Sequence, residues 1–434
     1  MIKLHFFLDT VVGQRPTTAA TKDQRPTPKD FLLIFILQIC LMNQRYYSLD
    51  VFRGATVALM IMVNNPGSWE HIFSPLEHAT WHGCTPTDLV FPFFLFAVGN
   101  AMSFVMPRFE KEGTAYFLKK VFKRAILIFA IGIFLNWSPF VMYGSKGDLA
   151  VKGWTWATRD GAVSGIRCMG VLQRIALCYL FASLIVYFFK TKGAYVFSCI
   201  LLLSYWLLCL LLGNPADPFS LSGYFGTSVD INLFGVAHVY KGEGVPFDPE
   251  GLASTFAAIV QVVFGYFVGQ YIQQKGKNYE MLSNLFVAGI VLVFAGYCWD
   301  MVFPINKKIW TSSYAIYTTG LATITLASLI YLIEFKEVKG AWSKFFDVFG
   351  KNPLFIFVLS GFLPRLLGLI RITEGFNSNG KPIYTSPFGW FYQHICKDIA
   401  SDLRVGSLVY ALIMIIFYWS IVYVLDKKKI YIKV

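Results

Sequence analysis

Ten apolar stretches, each near the length that carries a helix across a bilayer, leave little room for a fold built around a water-facing surface. They cover residues 49–65, 86–106, 121–137, 169–189 and 194–212, then 252–273, 284–303, 311–333, 352–370 and 406–425. A spanning helix needs about 20 mostly apolar residues, and internal breakers such as Pro92 and Gly99 are of a kind membrane helices tolerate. The expected fold is therefore all-α, a polytopic integral membrane protein of about ten transmembrane helices. Composition agrees: 15% of the 434 residues are charged and 56% hydrophobic, whereas a soluble domain carries about a quarter charged residues.

The formal net charge of +13 invites a nucleic-acid reading, which its distribution excludes. Basic residues sit in short runs between the apolar stretches, at Lys119-Lys120 with Lys123-Arg124, Lys190 with Lys192, Lys275 with Lys277, and Lys427-Lys428-Lys429. That pattern orients a membrane protein; no groove or aromatic-platform motif accompanies it. The positive-inside rule places the N-terminal side of the first span and the C-terminus in the cytoplasm. The loops 66–85, 138–168, 213–251 and 371–405 then face outward.

The start of the chain reads differently. Residues 10–30 are polar, with Pro16, Pro26 and Pro28, and the apolar run 31–42 is too short to span. Residues 1–41 are expected to be an N-terminal extension, with translation starting at Met42 and the membrane domain running over 42–434; the run could alternatively supply an eleventh element. The eight cysteines show no paired spacing for zinc or redox work. Cys84, Cys168 and Cys396 lie near the outer face, where pairing is open to them.

Polar information is densest between Ser48 and Gly99. The first span begins with Asp50 and Arg53 and ends with Asn64-Asn65-Pro66-Gly67; the loop after it holds His71, His78 and His82 along with Trp69 and Trp81. The second span opens Thr85-Pro86-Thr87-Asp88, a strong helix start that puts the positive end of that helix near His78. His78 and His82 at i, i+4 could face one metal, but Gly83 follows and no third ligand pattern is nearby, so no metal site is expected. Interfacial polar residues with tryptophan anchors account for His71 and His82. An imidazole, with an ordinary pKa of about 6.5, is also the side chain suited to accept a proton near neutrality.

Here an ordered series of segments adds to the residue chemistry. LDVFRG, VNN, HATWHG and TPTDLVFPFFLF are followed by GVLQRIALCY at 170–179, FDPEGLAST at 247–255, FPINKKIWTSSY at 303–314 and GKNPLFIF at 350–357. Over residues 45 to 425 the chain resembles the heparan-alpha-glucosaminide N-acetyltransferase family and its bacterial relatives within the transmembrane acyltransferases. The resemblance implies transfer of acetyl from cytosolic acetyl-CoA to the amine of a terminal glucosamine across the membrane. The family's catalytic histidine falls on His78, and its active-site asparagine on Asn64. No sizeable soluble domain precedes the first shared span, which puts in doubt any function needing one.

The chemistry suits those residue types. A glucosamine nitrogen must be neutral to attack a thioester, so a base of pKa about 6–7 is well matched. The oxyanion that forms needs donors, which Asn64 and the amides opening the second span would supply. Acetyl-His78 formation is plausible in kind; direct transfer needs fewer assumptions. Coenzyme A brings phosphates, for which Arg53, Arg124 and Lys351 are the nominated partners at the cytoplasmic mouth. Their bland alternatives are ordinary orientation charges for Arg124 and Lys351, and an ion pair with Asp50 for Arg53. A mid-bilayer arginine costs about 2.5–3.5 kcal/mol on insertion scales, so Arg174 is expected to line the central cavity. Asn306 and Lys307, in a short outward loop where lysine is unusual, are assigned to the acceptor or to His78. Trp81 offers a sugar-stacking face or a belt anchor; Asp88 orients His78 or completes a helix cap.

Two rival readings share this pattern. An amino-sugar transporter would also be polytopic with charge at midplane, and an acyltransferase on peptidoglycan or another envelope glycan would differ only in acceptor. The expected partners are acetyl-CoA, an amino-sugar or glycan acceptor and the lipid bilayer, and relatives of this kind form homodimers.

Overall fold

The computed structural model describes residues 46–144, 148–158, 162–378 and 380–432. The expected extension 1–41, the run 31–42 and the start at Met42 lie outside the described residues.

The chain is mostly helical. Its helices are α1 (Tyr47–Asn64), α2 (Val90–Glu112, entered by the 3-10 turn Pro86–Leu89), α3 (Thr114–Trp137), α4 (Val171–Leu212), α5 (Phe225–Phe234) and α6 (Thr255–Lys275). After these come α7 (Tyr279–Asp300), α8 (Ser312–Ile330), α9 (Ala341–Lys351), α10 (Pro353–Leu367), the short α11 (Pro387–Phe391) and α12 (Leu403–Lys427). Among the described residues, six helices are long and apolar enough to cross a membrane, or seven if the bent pair α9–α10 is one span. That marks a multi-pass membrane protein.

The difference from ten has local causes. α1 is only 18 residues long and contains Asp50, Arg53 and Asn64, which dilute its hydropathy. Every 18-residue window of α3 takes in Lys120, Lys123 and Arg124. The stretches 169–189 and 194–212 form the one 42-residue helix α4, broken at Lys190, whose φ is 54°. α10 has 15 residues and meets α9 at 79°; at a 1.5 Å rise it extends about 22 Å, short of a hydrocarbon core of about 30 Å. The helical expectation holds for most of the chain, and the loops add short strands. Two-stranded antiparallel hairpins fold the loops, with β1 (Val141–Tyr143) on β2 (Leu149–Val151), β3 (Thr155–Ala157) on β4 (Val163–Gly165) and β5 (Ile372–Phe376) on β6 (Pro382–Thr385). Backbone groups there have no helix to satisfy them, and strand pairing does so instead.

Two reciprocal glycine contacts set the crossings that matter for the site. A Cβ on Gly99 of α2 would lie 2.0 Å from Val262 O of α6, and one on Gly265 of α6 would lie 2.2 Å from Phe96 O of α2. Gly54 of α1 faces Phe346 O of α9 at 1.7 Å, and Gly350 of α9 faces Asp50 O at 2.1 Å, by the same measure. Small residues let backbones approach where lipid offers no hydrophobic drive between helices. The largest apolar core gathers α2, α3, α4, α6 and the start of α8; a second joins α1, α9 and α12.

Candidate functional site

The loop from Pro66 to Cys84 closes over the start of the turn leading into α2, and Asp88 organises it. One carboxylate oxygen of Asp88 accepts from the amides of Ala79 (3.1 Å) and Thr85 (3.0 Å). The other lies 2.7 Å from His78 Nδ1. Asp88 therefore does both of the things weighed for it, capping the turn and orienting the histidine. A carboxylate accepts, so the proton sits on Nδ1 and leaves Nε2 with its lone pair. Asp88 is buried while the His78 side chain is 42% exposed, so the ring is held from one edge and open at the other.

The 303–311 loop is docked against this site by Gly83. At φ 105°, a conformation open to glycine, Gly83 donates its amide to Ile305 O at 2.7 Å. Asn306 is buried; its side-chain oxygen accepts from the Ile309 amide at 3.0 Å, and its nitrogen stands 3.4 Å from His82 Nδ1. It builds the loop and meets His82 rather than His78. Lys307 does reach His78: its Nζ lies 3.0 Å from Nδ1, 3.4 Å from Nε2 and 3.4 Å from Asp88 Oδ1. Burial pushes the Lys307 ammonium below its ordinary value, with Asp88 opposing. Burial likewise lowers His82 against Asp217 and Asp300, and raises the Cys84 thiol to about 12 with help from Asp88.

Around this centre stand residues the sequence reading did not name. Lys308 donates to Thr80 O at 2.9 Å and pairs with Glu243 at 2.6 Å. Arg167 grips Asp248 (2.6 Å) and Glu250, and stacks 4.6 Å from the Tyr240 ring. Tyr314 donates to Asp88 O at 2.5 Å. Asp248 and Glu250 lie inside the 247–255 segment already singled out; what was missing was their partner, more than 80 residues away. Trp81 donates its indole N–H to Phe219 O at 2.8 Å and packs on Phe247, so it fastens one loop to another.

A second feature lies toward the other end of α1 and α2. A cavity of about 330 Å³ is lined by Arg53, Arg124 and Lys351 together with apolar side chains that include Phe94, Val98, Leu172 and Leu354. All three cations nominated for coenzyme A phosphates thus share one cavity. Arg53 also pairs with Asp50 at 2.6 Å and donates to Gly350 O at 2.6 Å. Lys351 pairs with Asp347 (2.8 Å) and Asp426 (3.1 Å). Arg124 rests 4.8 Å from the Tyr179 ring and has no carboxylate partner among the described residues.

The remaining candidates sit as follows. Arg174 is fully buried and absent from the cavity lining. It donates to Gly251 O at 3.1 Å and to Ser254 Oγ, and lies over the Trp310 ring; its neighbours Leu172 and Ile175 face the cavity instead. Asn64, exposed at the last turn of α1, makes no hydrogen bond to His78, Asp88 or Lys307. The Thr85 and Asp88 amides are bonded within the helix cap, and Pro86 has none. Cys84, Cys168 and Cys396 are each free thiols. Among the described residues no cluster of three or more His, Cys, Asp or Glu side chains is arranged to hold a metal.

The site is thus that of a membrane protein with a carboxylate-oriented histidine over one end of its bundle and a cation-lined cavity below it. The chain is similar to heparan-alpha-glucosaminide N-acetyltransferase of Homo sapiens, 26% identical over 372 residues that cover 72% of this chain and 52% of the human protein. It is equally similar to the protein of that name in Mus musculus, 26% identical over 373 residues covering 72% and 53%. These matches support a distant family relationship, and the chain spans about half the length of the curated relatives it matches. No family model matches the chain.

Proposed function

We propose that the protein is a membrane acetyltransferase that moves acetyl from cytosolic acetyl-CoA to the amine of a glucosamine-type sugar on the outer side of a bacterial inner membrane. The observation that carries this reading is the His78–Asp88 pair, which fixes Nδ1 as donor and leaves Nε2 as a base at an open edge. The relatives' names supply the class of reaction. The cavity fits a phosphate-bearing donor: Arg53, Arg124 and Lys351 would hold the phosphates, and its apolar wall would take the less polar arm. Along α2, from Ala101 at the cavity to Asp88 beneath His78, the helix rises about 20 Å, so the donor's reactive end has to reach up the bundle to meet the acceptor.

In this reading His78 Nε2 accepts a proton from the acceptor nitrogen as it attacks the thioester carbonyl, and returns it to the departing sulfur. Asp88 stabilises the imidazolium that forms between. Transfer is direct, and Asn64 at the end of α1 is the proposed donor to the oxyanion. Arg174 acts as scaffold, tying α4 to the start of α6 and to Trp310. The N-terminal side of α1 and the C-terminus lie in the cytoplasm.

The test is acetyl transfer from acetyl-CoA to a glucosaminide by purified protein, with His78→Ala in parallel. Turnover that disappears in the variant supports the reading. Protein that neither binds nor consumes acetyl-CoA rejects it, leaving sugar transport to be assayed; acetyl trapped on the protein without sugar would replace direct transfer by an acetyl-histidine route.

A further inference from the structure

Transfer to an amino sugar at neutral pH involves two protons, and His78 offers one free nitrogen. The acceptor arrives largely as an ammonium and must lose a proton before its nitrogen has a lone pair. A second proton leaves that nitrogen when the carbon–nitrogen bond forms. His78 Nδ1 is committed to Asp88 at 2.7 Å, so Nε2 can carry only one proton at a time.

The two neighbouring lysines of the 303–311 loop differ in a way that bears on this. Lys308 is fully engaged, with Glu243 at 2.6 Å and Thr80 O at 2.9 Å. Lys307 has no carboxylate of its own. Its nearest polar atom is His78 Nδ1 at 3.0 Å, and its nearest carboxylate oxygen is the Asp88 Oδ1 that already accepts from His78, at 3.4 Å. At 3.0 Å from Nδ1 and 3.4 Å from Nε2, Nζ stands over the face of the imidazole, off the line of the Nδ1–Asp88 bond and beside the nitrogen that bond leaves open. The Lys307 side chain is 21% exposed, enough to meet a ligand at the open edge of the His78 ring. The charged and titratable groups acting on it are Asp88, Glu250 and Cys84, together with His78 in contact; burial outweighs them and lowers its pKa from the ordinary value.

We propose that Lys307 is a second catalytic group, the base that deprotonates the acceptor's ammonium before His78 acts. The inference rests on the acetyltransferase reading. In the first step the sugar ammonium gives a proton to the neutral Lys307 amine, yielding a free sugar amine and a lysine ammonium. In the second, the sugar nitrogen bonds to the acetyl carbon and the carbon–sulfur bond breaks. The nitrogen's proton passes through His78 Nε2 to the sulfur, giving the acetamide and the coenzyme thiol. Lys307 then releases its proton to water, so one proton is produced per turnover.

The experiment compares wild type, Lys307→Arg and Lys307→Gln across pH with two acceptors, a glucosaminide and hydroxylamine, whose nitrogen is already neutral at pH 7. Arginine keeps the cation beside Asp88 but does not titrate. With the glucosaminide, both variants should lose about 10–100-fold at about pH 6.5 and return to within about threefold of wild type at about pH 9, where the acceptor deprotonates itself. With hydroxylamine the loss should be small at about pH 7. The same fold loss at both pH values and with both acceptors would make Lys307 a structural partner of Asp88 and overturn the proposal, as would no loss at the lower pH. A wild type that acetylates neither acceptor overturns the acetyltransferase reading itself, and this inference with it.

Discussion

The two ends of the bundle use charge in opposite ways. At the His78 end one buried carboxylate, Asp88, serves several partners at once: two backbone amides, an imidazole and a lysine. At the other end the lysines Lys344 and Lys351 share two carboxylates, Asp347 and Asp426, while Arg124 faces the cavity over a tyrosine ring. The first arrangement fixes a tautomer and a direction, which is what proton transfer requires. The second spreads positive charge over a concave apolar wall, which suits holding a large anion. Chemistry and donor binding should therefore separate under mutation.

The widest separation is expected at His78. His78→Ala should lower kcat by about 10²–10⁴-fold while acetyl-CoA binding, read by calorimetry, stays within about threefold. A matching loss of affinity would merge the two ends into one site. Asn64→Ala should follow with a loss of about 10²–10³-fold in kcat, the size for removal of an oxyanion donor. Asn65→Ala, which loses only a bond to Ile61 O of its own helix, is its control in the same assay. An Asn64 variant with full turnover would remove it from the chemistry.

At the other end, Arg53→Gln and Arg124→Gln should each weaken acetyl-CoA binding by about 10–150-fold, as loss of a charge-assisted hydrogen bond of about 1.5–3 kcal/mol requires. Turnover at saturating donor should change little. The sharper version replaces the donor with S-acetyl-pantetheine, which lacks the nucleotide phosphates: the defect should vanish, and its persistence would mean these arginines shape the fold instead.

The last effect concerns stability alone. Burial raises the Asp230 carboxyl from 3.8 to about 6, with the Leu252 amide opposing and Asp248 adding to it. A folded value above the unfolded one contributes stability that is fully present below pH 3.8 and lost as pH rises through about 6. Asp230→Asn, which keeps an acceptor for Leu252 N, should therefore gain on wild type in thermal unfolding as pH goes from about 4 to 7, by up to about 3 kcal/mol. A pH-independent difference would show that Asp230 does not titrate in this range.

Much of this architecture could be read along the chain because its cause is local. Hydropathy over about 20 residues selects membrane helices, and α2, α6, α7, α8 and α12 fall where the apolar runs place them. Thr85-Pro86-Thr87-Asp88 foretold a helix start. The resemblance marked His78, and charge against context marked Lys307. Local pattern was a poor guide where a helix bends or breaks, as at Lys190 and between α9 and α10, because those angles answer to packing against distant helices.

What the sequence by itself determined is the solvent, the class of fold and the residue types available for chemistry, since each depends on the composition of a short window. Only the tertiary structure decided which of them meet. Lys307 reaches His78 across 229 positions, and Arg53, Arg124 and Lys351 line one cavity although they lie on three helices. Arg174 turned away from that cavity and Asn306 toward His82. Side-chain direction on a helix is fixed by its rotation about its own axis, and that rotation is set by close contacts such as Gly99 on Val262 and Gly54 on Phe346, which no single segment contains.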